Sequence, residues 1–126
     1  MSPLEQSKLA EKSAQVAIST FFNIMNAWQV KVEDQVVLLG KPSKSEFYNW
    51  KNGHVSSLPN DTLERISYIL GIYKALRTLF PTLEQASAWP LKPNKDFSNR
   101  SALEVMLEGG VTHLSDVRRY LDAQQG

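Results

Sequence analysis

The 126-residue chain holds two histidines, His54 and His113, and no cysteine. Metal centres and nucleophilic sites are often built from these residue types. Here the two histidines share no motif and sit at no metal-ligand spacing. They read as an ordinary loop residue and a surface or capping residue near a helix start. There is no Gly-rich phosphate loop and no Gly-x-Ser-x-Gly elbow. Gly109-Gly110 follows a helical stretch and reads as a helix C-cap. The carboxylates gather at helix starts, where the helix dipole accounts for them. No catalytic residue, no metal and no cofactor are therefore expected. The chemistry left to this chain is binding.

Two segments could bind. Residues 41–53 and 92–100 each carry a net charge of +2, whereas the whole chain carries only +1. A bulk polyanion binder would be more basic, but a compact basic patch is compatible with this distribution. Val32 to Asn52 reads as a short helix, a tight turn at Gly40-Lys41-Pro42 and a second helix, which is a helix-turn-helix unit. Phe47 and Trp50 define the inner face of the second helix. Its opposite face carries Lys44, Ser45, Tyr48, Asn49 and Asn52, with Lys51 on the flank. These side chains can reach base edges or phosphates, and a simple solvated face would look the same. Near the C-terminus Arg118, Arg119 and Tyr120 are consecutive, so at least one points away from the core. Outward Arg and Tyr serve as interface anchors. They serve equally as surface charge paired with Asp116 or Asp122. Trp89 and Phe97 lie in a Pro-rich stretch without a helical stripe, and either meet a partner or close the chain's own core. Gln124-Gln125-Gly126 reads as a tail with no core role, free to enter a neighbour's cleft.

The elements that must position these groups are all helical. Ile18, Phe21, Phe22, Met25 and Trp28 lay one apolar stripe along a helix. Upstream, about residues 4–15 favour helix by propensity but bury less, with fraying expected at the start. Val32 to Leu39 is a short helix ending at Gly40. Ser43 caps a helix from about Lys44 to Asn52, which packs against the helices containing Phe22 and Leu63. Asp61-Thr62-Leu63-Glu64 reads as a capping box with Asp61 at the N-cap. It opens a helix whose stripe is Leu63, Ile66, Leu70, Tyr73, Leu76 and Phe80, ended by Pro81. Gly71 inside it costs about 1 kcal/mol against Ala unless a neighbour packs on it. A short helix at Leu83–Trp89 and an irregular loop follow. Ser101 to Glu104 is a second capping box, and Thr112 or Ser115 caps a last helix to about Ala123. The expected fold is all-α with six to eight helices. Its divisions are a helical extension at 1–17, a helix-turn-helix domain at 18–81 and a further unit at 82–126. No apolar run is long enough to span a membrane, and the N-terminus does not read as a signal peptide. With cysteine absent, a cytoplasmic location is expected.

Three blocks of residues resemble the Xre/MbcA/ParS-type antitoxins, the partners of RES-domain toxins. The first is Leu38-Leu39-Gly40 with Phe47-Tyr48-Asn49-Trp50-Lys51-Asn52-Gly53. The second is Leu58 to Ser67 with Leu70 to Leu76 and Phe80-Pro81. The third runs from Trp89 through Pro93-Asn94, Phe97, Ser101 to Met106 and Gly109-Gly110 to Leu114–Asp122, and is the most specific. Asn99-Arg100-Ser101-Ala102-Leu103 stands where the family commonly has Gly-x-Ser-Pro-Leu.

The resemblance implies an Xre-like DNA-binding N-terminal part and a C-terminal toxin-binding part. It also implies a partner that consumes NAD, inhibited by covering its active-site entrance, and an operon repressed through its own operator DNA. On this reading Lys41, Ser43, Lys44, Ser45, Tyr48, Asn49 and Lys51 meet DNA. Trp89, Phe97, Arg118, Arg119, Tyr120, Asp122 and Gly126 meet the toxin. A homodimer, or a larger assembly with toxin, is expected. The rival reading is a stand-alone helix-turn-helix regulator with a C-terminal dimerisation domain.

Overall fold

In the computed structural model, which describes residues 2–126, the first apolar stripe belongs to one long helix, α1 (Pro3–Trp28). It runs unbroken through the expected division at residues 17 and 18, and Met1 lies outside the described residues. Its start, where fraying is expected, is helical from Pro3. Ser2 and Glu5 form a capping box, and Pro3 at the first helical position already has a helical φ. Ile18, Phe21, Ile24, Met25 and Trp28 of α1 are buried.

Two short helices follow, α2 (Val32–Leu38) and α3 (Lys44–Lys51). The valine-rich stretch is helical, as its first-turn acids and Gly40 stop suggested. In the turn between them Gly40 has φ +92°, and a Cβ there would meet Asp61 Oδ2 at 2.7 Å. Lys41 follows with φ +61°. Ser43 then caps α3: its hydroxyl accepts from Glu46 N–H at 3.1 Å, and Glu46 accepts in return from Ser43 N–H at 3.2 Å. Phe47 and Trp50 point inward, and Phe47 meets Phe22 of α1 edge-on at 5.6 Å.

The longest element after α1 is α4 (Asn60–Leu79). Asp61 is not its N-cap. The helix is entered from Pro59, and the Asp61 carboxylate instead accepts from Arg65 Nε at 2.9 Å, one turn on. The inner face also differs from the expected stripe. Leu63 is 39% exposed, and Thr62, Arg65, Ile66, Ile69, Ile72, Ala75 and Leu76 are buried. The helix packs on both α1 and the C-terminal helix, so it buries a broad arc rather than one stripe. Two polar residues belong to that arc because main-chain carbonyls satisfy them. Thr62 Oγ1 donates to Leu39 O at 3.3 Å, and Arg65 Nη2 donates to Gly109 O at 2.8 Å.

The remaining elements are α5 (Leu83–Ala88), α6 (Ala102–Met106) and α7 (Val111–Gln125). Between α5 and α6 the expected irregular loop contains 3-10 turns at Trp89–Leu91 and Lys95–Phe97. It also holds a minimal antiparallel pair, β1 (Pro93–Asn94) with β2 (Arg100–Ser101), in register Pro93 to Ser101 and Asn94 to Arg100. The Ser101–Glu104 capping box is present. The last helix starts earlier than expected, with neither Thr112 nor Ser115 as its cap. Gly110 is the N-cap, and its N–H donates to His113 Nδ1 at 3.1 Å. The other ring nitrogen, Nε2, lies 2.7 Å from a Glu108 carboxylate oxygen. Glu108 also accepts from Arg100. That hydrogen bond, aided by the Arg100 charge, holds its carboxyl below the usual range against a smaller opposing effect of burial.

The all-α class is as expected. A single hydrophobic cluster extends from Ala14 on α1 to Leu121 on α7.

Candidate functional site

Two surfaces gather the residues that the sequence marks for binding. The first is the outer face of α3. Lys44, Ser45, Asn49, Lys51 and Asn52 are exposed, and so is Tyr48. Lys41 is exposed in the preceding turn. Ser43 is exposed too, but its hydroxyl is spent on the cap. Lys51 Nζ stands 5.9 Å from the centre of the Phe47 ring, so its stem covers the edge of the core while its charge stays in solvent. The outer face of α3 thus presents polar and basic side chains, backed by Phe47 and Trp50.

The second surface is built on α7. Leu114, Val117 and Leu121 seat this helix on the rest of the fold, and its most extensive neighbour is α4. The Arg118 guanidinium rests over Gly71, where a Cβ would lie 1.5 Å from Nη1, so a side chain at 71 would push the flexible end of the arginine aside. Arg118 Nε donates to both Asp122 oxygens at 3.0 Å. Arg118 and Asp122 are therefore tied to one another beside α4. The expected coreless tail is helical to Gln125, whose side-chain amide donates to Ala75 O at 3.3 Å. A nearby backbone carbonyl draws the last turn onto α4, and only Gly126 lies beyond the helix.

Tyr120 does not stand alone. It stacks on Trp89 with ring centres 6.1 Å apart and meets Phe97 at 4.9 Å, while Trp89 and Phe97 lie 6.2 Å apart edge-on. Its hydroxyl donates to Asp96 Oδ2 at 2.7 Å and accepts from Asn94 Nδ2 at 3.5 Å. The Asn94 bond favours the phenolate. The bond to Asp96, burial and the Asp96 charge outweigh it and hold the phenol above its usual range. All three rings are half-buried. The cluster both closes the loop between α5 and α6 and leaves ring edges at the surface. Arg119 is the outward member of the trio. Its side chain is 73% exposed, and it meets only Asp116, at 3.0 Å.

One structural joint was not legible in the sequence. Besides Asp61 and Gly109 O, Arg65 reaches Val37 O at 3.5 Å. One buried guanidinium thus links α2, α4 and the loop between α6 and α7. The strong bond is the charge-assisted one to Gly109. The ion pair to Asp61 is a weaker contribution, because that carboxylate is 56% exposed. Arg65→Met keeps the stem and strips the hydrogen bonds. It is expected to lower stability by about 2 kcal/mol, chiefly by leaving the Gly109 carbonyl unpaired. Urea unfolding checks this, and an unchanged midpoint would show the joint to be idle.

Residues 75–126, the end of α4 through α7, match the family described as antitoxin Xre/MbcA/ParS C-terminal toxin-binding domain. The chain's C-terminal part belongs to the Xre/MbcA/ParS antitoxin family. The chain is also 44% identical over 126 residues to the uncharacterized protein y4oB of Sinorhizobium fredii (strain NBRC 101917 / NGR234), across 98% of this chain and 97% of that one. No solved structure matches it. The toxin-binding domain contains Trp89, Phe97, Arg118, Arg119, Tyr120 and Asp122, and includes the helix end at Ala75 that receives Gln125. Among the described residues no group of acids and histidines could hold a metal ion, and no helix is long and apolar enough to cross a membrane.

Proposed function

We propose that this antitoxin neutralises a RES-domain, NAD-consuming toxin by covering the entrance to its active site, and represses its own operon through α2 and α3. The observation that carries the reading is the match of residues 75–126 to a toxin-binding domain, coupled to a second, separate polar face on α3. The chain then needs no catalysis of its own. It needs a complementary surface of roughly 800 Å² on each partner. Residues 82–126 supply it, and residues 18–81 supply the DNA contact. The N-terminal 1–17 extend α1, and the protein works in the cytoplasm.

On the toxin side Arg119 makes the direct contact, offering a bidentate fork to carboxylates beside a nucleotide pocket. The exposed edges of Trp89, Phe97 and Tyr120 flank it. Arg118 and Asp122 hold α7 in position beside them, and Gly126 closes the surface. On the DNA side Lys44, Ser45, Tyr48 and Asn49 face the major groove, with Lys41 and Lys51 beside phosphates and Ser43 fixing the helix start. A stand-alone regulator would share this second surface, but it would have no use for a toxin-binding domain. Co-expression with the neighbouring RES-type frame tests the first half: co-purification and rescued growth are expected, and a toxin that stays active and unbound overturns it.

For the DNA half, the double variant Lys44→Ala with Lys51→Ala is expected to weaken operator binding. Its log affinity should fall less steeply with log salt, by about one unit of slope for each phosphate left without its lysine. Titration of the promoter fragment at several salt concentrations checks this. Unchanged affinity and slope would remove α3 from the DNA.

A further inference from the structure

The proposed toxin surface offers Arg119, which is charged, and ring edges that are half-buried. A stable interface also needs an apolar centre. Within residues 75–126 the exposed large apolar side chains are Leu83, 48% exposed, and Leu91, 43% exposed. Both line one open groove of about 410 Å³, together with Ala88 of α5 and with Ala27 and Trp28 at the end of α1. The fold already holds both walls in place. Trp28 is fully buried, and Gln29, with φ +56°, ends α1 at the edge of the groove. On the other wall Thr82 Oγ1 accepts from Gln85 N–H at 3.1 Å and caps α5, which packs on α1. A site formed before its occupant arrives costs less ordering on binding.

We propose that this groove seats an apolar anchor of the toxin, so that toxin recognition extends from the C-terminal domain onto the end of α1. The inference rests on the reading of residues 82–126 as the toxin surface given above. Two observations select the toxin as occupant. The α5 wall, from Leu83 to Ala88, and Leu91 beyond it lie wholly inside the domain matched as toxin-binding. The turn Trp89–Leu91 then joins the two surfaces, because Trp89 stacks on Tyr120 while Leu91 borders the groove. Charge narrows the chemistry of the anchor. Glu84 also lines the groove, is exposed, and makes no ion pair among the described residues. The occupant that fits is a leucine, methionine or phenylalanine side chain flanked by a lysine or arginine that meets Glu84. The matched domain does not form this seat alone, since Ala27 and Trp28 close it from α1.

Calorimetric titration of the full chain with the purified product of the neighbouring RES-type frame tests this. Leu83→Arg, Leu91→Arg and Ala27→Arg are each expected to weaken binding at least about tenfold, because a guanidinium then stands where the apolar anchor sits. All three residues are exposed, so the melting curve of each variant should stay close to wild type. Leu4→Arg makes the same change at an exposed leucine of α1 away from the groove, and is expected to leave the affinity unchanged. Wild-type affinity in Leu83→Arg and Leu91→Arg overturns the groove. Wild-type affinity in Ala27→Arg overturns the extension onto α1. Arg119→Glu is titrated beside them. If it loses affinity while the three groove variants keep theirs, the inference falls and the toxin reading stands. A wild-type chain that binds no toxin brings down both.

Discussion

Trp50→Ala is expected to lower the unfolding free energy by about 3–5 kcal/mol, the cost of emptying a large aromatic site that the surroundings only partly refill. The cause is local. Helix α3 is eight residues long, and Phe47 and Trp50 are its only buried side chains. A helix of that length has little stability of its own, so these two rings and the Ser43 cap hold it in place. The indole is 6% exposed, and Phe47 is locked edge-on to Phe22. Loss of the indole therefore leaves a void and frees half the anchorage of the proposed recognition helix. Urea unfolding measures the loss, with the slope against denaturant reporting whether the transition stays two-state. A change under about 1 kcal/mol would mean that the ring contributes no core packing. Operator affinity should fall in parallel under conditions where the variant is still folded, because the face of α3 is presented only as well as its back is held.

Local signals in this chain are legible where a residue acts on its own neighbours. The Ser43 cap, the Ser101–Glu104 box, the stop at Gly40 and the inward pair Phe47 and Trp50 all depend on residues within one turn of each other. Sequence and structure part where a distant partner decides. Asp61 looks like an N-cap until Arg65, held in turn by Gly109 from the far end of the chain, claims its carboxylate. Leu63 looks like core because a periodic stripe does not reveal that α4 is gripped from two sides. Gly71 looks like a defect, and it lies under the Arg118 guanidinium. The same limit applies to the candidate sites. Arg118, Arg119 and Tyr120 are adjacent in sequence, and spacing alone does not separate them, but the fold gives them three different tasks. Arg118 lies across α4, Tyr120 completes an aromatic cluster, and Arg119 faces outward.

Arg119→Glu is therefore the variant with the largest expected effect on function at the smallest cost to the fold. Deleting 118–126 would test the toxin surface poorly, since it would also remove Leu121, 1% exposed, and the ring of Tyr120 from their packing. Arg119 carries neither burden. Its one partner, Asp116, is itself 60% exposed, and an exposed pair of this kind contributes little to stability. The melting curve of Arg119→Glu should therefore stay close to wild type, within about 0.5 kcal/mol. Its toxin affinity should fall by about 2 kcal/mol or more, near thirty-fold, as expected for an arginine anchor whose charge has been reversed against an acidic patch. Arg119→Lys keeps the charge and loses the planar fork, so an intermediate loss would point to bidentate contact rather than to charge alone. Calorimetric titration of toxin with each variant supplies the affinities, and growth of cells carrying both proteins supplies the biological readout. An Arg119→Glu chain that binds toxin with wild-type affinity and protects cells fully would take Arg119 out of the interface. The exposed ring edges of the Trp89, Phe97 and Tyr120 cluster would then be the remaining candidates on that side of α7.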